Sequence, residues 1–403
     1  MRIANCQLGV ASLRALLAAV GTASGVASAR PLVAQETGPG LVVPVPAPAR
    51  VTVVVDSFSG PRGNRLGFEV FRAAGASGPT PVVVFANGSG PGLRRMRGYR
   101  DWARLVTTRG LAGILYDGPS FDPSRSVGDN IRESVAHLDS LVTVLGRRGA
   151  VLGVDPANVV VWAGSAQTAT GTPFALSGNR PVKGYVLYYG AGDVSEPRLD
   201  VPVLVVRAGL DSPGLNAALD SLSRRLTLAG SPITVVSHPS GPHGFDIYDS
   251  TATTAQVISA TLAFMAAAVA PPLQASIAGS VAEVRASAAF GAARWSEAEA
   301  LYADLARQRP DSRSVAWRLG LAQLANGNPG PALASFDRAR ALGQGGARDI
   351  GLPATRAAMR AGNLPRAVEW VRWALEQFPR IRQEIAADRE LAPLLERPEI
   401  KGG

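Results

Sequence analysis

Three residues far apart in the 403-residue chain have the types needed to activate a hydroxyl: Ser165, Asp211 and His243. A serine Oγ is a weak nucleophile until an imidazole accepts its proton and a carboxylate fixes the tautomer of that imidazole. Only three histidines are present, so the search for the base is short. His137 falls mid-helix in SVAHLDS and His238 ends an apolar run, and both read as structural residues. His243 lies in HPSGPHGFD, a Gly/Pro-rich loop that holds an imidazole without regular structure. Asp211 follows the run PVLVVR and stands 32 positions before His243 (243 − 211), which leaves room for one helix and one strand. Asp193 is a second carboxylate after a run, here GYVLYY. Ser165 follows VVVWA in the stretch VVVWAGSAQTA, so the order is Ser…Asp…His, each just past a strand's carboxyl end. Ligands gather at that edge in open α/β sheets.

The elements that must position these residues are legible between Val51 and about Ala270. Short β-branched runs occur at 51–55, 66–71, 81–86, 112–116, 159–163, 184–189, 202–207 and 233–238, and helical periodicity falls between them at 96–109, 127–148, 167–177, 215–228 and 251–269. That alternation predicts a mainly parallel, eight-stranded sheet covered by helices. Pro271-Pro272 marks a break, after which the chain is rich in Ala, Leu and Arg and helical in period. The expected domains are therefore 36–270 and 276–400.

The second of these carries a repeat. Ala298, Ala332 and Ala367 are 34 and 35 positions apart (332 − 298, 367 − 332); four further on come Tyr302, Phe336 and Val371, seven further on Leu305, Ala339 and Ala374, and twelve further on Pro310, Gln344 and Pro379. Gly327 and Gly362 stand five before their alanines; the first copy lacks the early glycine, which Leu319-Gly320 supplies in the second. This tail resembles the tetratricopeptide repeat, and the resemblance implies paired helices with a concave face for a protein or peptide partner.

The triad order and the GPHGFD loop make the first domain similar to the α/β-hydrolases, in particular to the dienelactone-hydrolase and prolyl-oligopeptidase-like branches. The resemblance implies that Ser165 sits on a nucleophile elbow. The usual pattern there is G-x-S-x-G, whereas this chain has Ala163 and Gln167 at the outer positions. It also implies an oxyanion hole made by the amide of Ala166 and a second amide from the loop FANGSGPG, supplied by Gly88 or its neighbour Asn87. The expected activity is cleavage of an ester or related acyl bond in a small-molecule substrate, with no cofactor. A catalytically inactive hydrolase scaffold, binding partners through its helical repeats, is the alternative that Gln167 favours.

Composition narrows the rest. Hydrophobic residues make up 46% and charged residues 18%, as in an ordinary globular protein. The net charge of +10 comes from arginines, among them Arg94, Arg95, Arg97, Arg100, Arg147 and Arg148. They form no dense run interleaved with aromatics, so they read as an arginine-rich surface and not as a nucleic-acid stripe. Residues 1–29 have the basic start, apolar segment and Ala27-Ser28-Ala29 end of a cleaved secretory signal, which predicts a periplasmic or secreted protein with no stable membrane span. Cys6 is the only cysteine, so the mature chain has none. With the histidines on separate elements, no metal-ligand spacing is present.

Overall fold

The computed structural model describes residues 36–87, 91–343 and 346–401, so the expected signal segment lies outside the described residues. Those residues form two compact units that divide at Ile277/Ala278.

In the first unit the β-branched runs become β1 (Val51–Ser59), β2 (Arg65–Ala73), β3 (Thr80–Phe85), β4 (Ala112–Tyr116), β5 (Val154–Gly164), β6 (Val182–Tyr188), β7 (Val203–Ala208) and β8 (Ile233–His238). They form one sheet in the order β1-β2-β4-β3-β5-β6-β7-β8. β2 is antiparallel to both neighbours, and every pair from β4 to β8 is parallel. Successive side chains of a strand point to opposite faces, so each central strand feeds two cores. Val82, Val84, Val159 and Val161 pack on one side against α2 (Val127–Leu152), α3 (Thr168–Leu176) and α4 (Pro213–Ala229) through Leu141, Leu145, Phe174 and Leu222. Val83, Phe85, Val160 and Trp162 pack on the other side against α1 (Arg97–Leu105) and α6 (Ala252–Ala268) through Trp102, Leu105, Leu262 and Met265. Strands covered on both faces read as unbroken apolar runs, which is why they were visible in the sequence.

The helices start and stop where local chemistry dictates. Ser126 caps α2 by accepting the Asp129 amide, and the helix ends at Gly153 with φ +67°. Ser212 caps α4 by accepting from Leu215 ahead of Pro213, and Thr251 caps α6. Each such cap satisfies an amide that the helix itself leaves unpaired. A short helix, α5 (Phe245–Tyr248), lies between β8 and α6.

Pro271-Pro272 does not separate the units. The prolines are the first two residues of α7 (Pro271–Gly291), and the division falls inside that helix, two residues beyond the expected start of the second domain at 276. Proline at the start of a helix loses no intrahelical bond, so a proline pair opens a helix as readily as it ends one.

The second unit continues with α8 (Trp295–Gln308), α9 (Arg313–Ala325), α10 (Pro329–Ala341), α11 (Leu352–Arg360), α12 (Leu364–Gln377), α13 (Ile381–Ala387) and α14 (Pro398–Lys401). The recurring residues Ala298/Tyr302/Leu305, Ala332/Phe336/Ala339 and Ala367/Val371/Ala374 are all buried, on α8, α10 and α12. Three inter-helix turns share one bond, from the amide of the residue three past the helix to a carbonyl five residues back: Arg294 to Ala289 (2.9 Å), Asn328 to Gln323 (2.8 Å) and Asn363 to Ala358 (2.8 Å). Such a turn needs a left-handed residue before that amide. Gly327 (φ +81°) and Gly362 (φ +73°) supply it in two turns, and Ala293 (φ +57°) supplies it in the first. Of the residues twelve past these alanines, Gln344 lies outside the described residues. No single helix among the described residues is long and apolar enough to cross a membrane.

Candidate active site

Ser165 begins a single 3-10 turn, Ser165–Gln167, between β5 and α3. Its φ is +55°, a left-handed value that costs a serine about 1–2 kcal/mol. Several contacts hold it there. Thr168 Oγ1 donates to the Ser165 carbonyl (2.7 Å) and lies 3.0 Å from the Ala191 carbonyl, which ties the turn to the loop after β6. That loop crosses closely because it has no side chains at the crossing. A Cβ on Gly190 would lie 2.4 Å from the Ser165 carbonyl, and one on Gly192 would lie 2.1 Å from Thr172 Oγ1.

The departures from the glycine pattern around the serine have a local account. The Ala163 methyl is accommodated by Gly171 on α3, where a Cβ would come within 2.6 Å of it. The glycine displaced from the strand reappears on the helix that faces it. Gln167 is buried at the end of the 3-10 turn and so does not point out into solvent.

Asp211 follows β7 in a loop laced to the one after β8. The Gly209 amide donates to the His238 carbonyl (2.8 Å) and the Leu210 amide to the Gly241 carbonyl (3.0 Å). Asn216 Nδ2 donates to the Ala208 carbonyl (3.0 Å) from α4. Gly209 permits this crossing, since a Cβ there would sit 2.1 Å from the Pro239 carbonyl oxygen.

These loops bring the three sequence-predicted residues together. Ser165 Oγ lies 2.8 Å from His243 Nε2, and His243 Nδ1 lies 2.7 Å from Asp211 Oδ2. The second Asp211 oxygen accepts the Ser212 amide (2.7 Å). A carboxylate can only accept, so His243 carries its proton on Nδ1 and presents a bare Nε2 to the serine. The Asp211 side chain is 6% exposed and that of His243 35%, so the carboxylate is shielded while the imidazole is open to solvent.

The other candidates go elsewhere. Asp193 pairs with Arg225 (3.0 Å) on an 87% exposed side chain. His238 is buried, with Nε2 2.9 Å from Thr254 Oγ1 and 3.0 Å from Asp249. His137 Nδ1 donates to the Glu133 carbonyl (2.8 Å).

The Ala166 amide sits in the first turn of the 3-10 helix, where amides have no intrahelical acceptor. Of the two residues offered as the second oxyanion donor, Gly88 lies outside the described residues. The Asn87 amide is already used, since it donates to Tyr116 Oη (2.9 Å). The Tyr116 hydroxyl in turn donates to the Asn87 carbonyl (3.0 Å), and Asn87 Nδ2 donates to the Tyr116 carbonyl (3.1 Å). Asn87 therefore anchors the loop after β3 and does not lend that amide to an oxyanion. Burial pushes the Tyr116 phenol well above its ordinary range, so it stays a donor.

Sequence reasoning missed the charges beside that loop. Arg94 and Arg100 are not surface arginines. Arg94 pairs with Asp117 (2.9 Å) and Glu69 (3.1 Å), and Arg100 pairs with Glu69 (2.5 Å) and Glu36 (3.1 Å). Arg104 also joins Glu36 and Asp101. Burial raises the Glu36 carboxyl, but its bonds to Arg104 and Arg100 outweigh that and hold it below the usual carboxylate range. No local signal in the sequence marks this network, because β4 inserts between β2 and β3 and so brings Glu69 and Asp117 to one edge.

A second missed group lies behind the histidine. The Tyr189 ring packs against the His243 imidazole with centroids 4.8 Å apart, and its hydroxyl donates to Asp246 Oδ1 (2.7 Å). Trp102 Nε1 donates to Asp246 Oδ2 (2.8 Å). Burial pushes the Asp246 carboxyl above its ordinary value despite these two donors. Among the described residues no group of three or more His, Cys, Asp or Glu could hold a metal ion.

No family model matches the chain, and no curated protein does. Among solved structures it is similar to a fungal esterase from Rhizomucor miehei (16% identity, 54% of this chain and 83% of that one, TM-score 0.44). It is also similar to an esterase from Pyrobaculum calidifontis (18% identity, 54% and 86%, TM-score 0.45). A third is brefeldin A esterase, a bacterial homologue of human hormone sensitive lipase (15% identity, 64% and 84%, TM-score 0.45). The order of the eight strands, the left-handed serine after β5 and the acid and histidine loops after β7 and β8 give the first unit the α/β-hydrolase fold.

Proposed function

We propose that the chain is an exported serine hydrolase that cleaves a carboxylic ester, or a related acyl bond, through an acyl-enzyme on Ser165. The observation that carries this reading is the unbroken relay from Ser165 Oγ to His243 Nε2 and from His243 Nδ1 to Asp211, built on a serine held at φ +55°. Ser165 Oγ attacks the carbonyl carbon as His243 Nε2 takes its proton, and Asp211 stabilises the imidazolium that forms. Charge on the carbonyl oxygen falls to the Ala166 amide and to a second amide in the loop after β3, for which Gly88 is the remaining candidate. Collapse of the tetrahedral intermediate breaks the C–O bond, and His243 returns the proton to the leaving alcohol. A water, deprotonated by the same imidazole, then attacks the acyl carbon; the bond from that carbon to Ser165 Oγ breaks, the acid leaves, and His243 returns the proton to Ser165.

The helical unit is a tetratricopeptide-like module in this reading, and its groove takes a protein or peptide partner. Buried small residues at 34- and 35-residue spacing, with a shared turn geometry, support it. The signal-like segment 1–29 supports export to the periplasm or beyond. The test is labelling of purified full-length protein by a fluorophosphonate, together with hydrolysis of p-nitrophenyl acetate. Both are expected for the wild type and neither for Ser165→Ala. A folded wild-type protein that stays unlabelled and inert would favour the other reading, a binding scaffold, for which the buried Gln167 beside the serine is the motive.

A further inference from the structure

Asp246 is a buried carboxylate with no ion pair among the described residues, and the reaction above does not use it. A lone buried carboxylate is a poor source of stability, because loss of hydration offsets most of what two hydrogen bonds return. Its place is informative. It lies three residues after His243 (246 − 243), and three elements converge on it. Trp102 reaches it from α1, Tyr189 from the end of β6, and the Val42 amide donates to its carbonyl (3.1 Å) from the segment that precedes β1.

Tyr189 is itself constrained. Its φ is +33°, outside the range a bulky residue adopts freely, and its amide is held by the Val206 carbonyl (2.8 Å). Tyr188, Tyr189 and Phe245 pack ring on ring, with Tyr188 and Phe245 stacked at 5.7 Å. The phenol therefore cannot swing away from the imidazole. Strain of this kind persists only where the surroundings over-determine it, and it clusters at functional sites.

We propose that Tyr189 and Asp246 are positioning residues for His243: Asp246 fixes the Tyr189 ring, and that ring fixes the plane and reach of the imidazole between Ser165 and Asp211. The direction of the Tyr189–Asp246 bond suits the role. Burial and the Asp246 charge push the Tyr189 phenol far above its ordinary range, so it remains the donor and the carboxylate the acceptor. A phenol that donates to a carboxylate has a more electron-rich ring, and that ring lies against the imidazole, tilted at 60°, when it becomes a cation. The proposal rests on Ser165, Asp211 and His243 acting as a relay.

The test uses full-length Tyr189→Phe, which removes one oxygen, and Asp246→Asn, which removes the charge. The readouts are kcat and KM on p-nitrophenyl acetate, and the far-downfield proton resonance of the His243 Nδ1–H held by Asp211. With three histidines in the chain, that resonance is readily assigned. Expected is a fall in kcat of about tenfold to a hundredfold with KM within about twofold, since misplacement of a reacting group acts on the chemical step. The resonance should broaden or vanish in both variants. Wild-type kcat and an intact resonance in Tyr189→Phe would overturn the proposal, and so would a wild-type spectrum that lacks the resonance. Should Asp246→Asn fail to fold, Tyr189→Phe decides alone. A wild type that does not turn over the ester, but whose resonance is lost in Tyr189→Phe, would sink the hydrolase reading and leave the positioning intact.

Discussion

The two units place small residues in different ways. In the helical unit they recur at nearly equal intervals of 34 and 35 positions: Ala298, Ala332 and Ala367 are buried at matching points of α8, α10 and α12. In the sheet unit they are irregular, and each serves one crossing. Gly190 lets the loop after β6 meet Ser165, Gly171 makes room for Ala163, and Gly209 lets the acid loop meet the histidine loop. Regular spacing builds a stack in which each contact stabilises and none is special. Irregular placement fixes the mutual geometry of loops that carry polar side chains. Substitutions in the first class should therefore move melting temperature, and those in the second should move rate.

The sharpest separation is expected at Ser165. Ser165→Ala should cost on the order of four to six decades in kcat/KM, with His243→Ala about as severe and the double variant hardly worse, because the relay acts as one unit. Melting should stay within a few degrees, since alanine occupies the same φ at similar cost and the hydroxyl's hydrogen bonds reach only a half-exposed imidazole. A Ser165→Ala protein that keeps ordinary turnover would reduce the serine to a turn residue and remove the contrast between the units.

Gly190→Ala and Gly320→Ala form a matched pair that divides the two classes. The added Cβ at Gly190 would lie 2.4 Å from both the Ser165 carbonyl and Thr168 Oγ1, so the elbow must shift. A displacement of that size should lower kcat by roughly a hundredfold. The Cβ at Gly320 would lie 2.7 Å from the Phe336 ring, between α9 and α10. That overpacking should destabilise the helical unit by about 1–3 kcal/mol. Ester turnover at 25 °C should stay within about twofold of wild type, as no group of the relay is touched. Calorimetry and initial rates on the same two preparations decide the matter. A Gly320→Ala protein that loses rate as steeply as Gly190→Ala would mean the units are not separable in this way.

What could be read from the sequence follows the same division. The strands β3 to β7 were visible because burial on both faces makes them continuous apolar runs, and the helical stack was visible because its interval repeats. That Ser165, Asp211 and His243 meet was legible because histidines are scarce and because Asp211 and His243 each follow a strand. What escaped depends on strand order, which a single sequence does not display. Tyr116 meets Asn87, and Asp117 meets Arg94, only because β4 lies between β2 and β3. The pairing of Asp246 with Tyr189 and Trp102 joins residues 57 and 144 positions apart across three elements. The proline pair at 271 stands close to the division at Ile277/Ala278 but opens a helix there, because the same residue type ends one helix and begins another.

The smallest effect tests the regular unit on its own terms. Ala293, Gly327 and Gly362 occupy one position in three alternate turns, those before α8, α10 and α12, each left-handed and each followed by the same amide-to-carbonyl bond. A Cβ on Gly327 or Gly362 would meet no atom within 4 Å, so only backbone strain distinguishes glycine from alanine there. A left-handed alanine costs about 1–2 kcal/mol, whereas glycine gives back about 0.5–1 kcal/mol through the greater freedom of its unfolded chain. Ala293→Gly should therefore stabilise the unit by roughly 0.5–1 kcal/mol, and Gly327→Ala and Gly362→Ala should destabilise it by a similar amount. The sign reverses although the three sites are alike, because the first turn already carries the residue that the other two would gain. Denaturant midpoints of the three variants measure it, and equal signs at all three positions would show that these turns are not copies of one another.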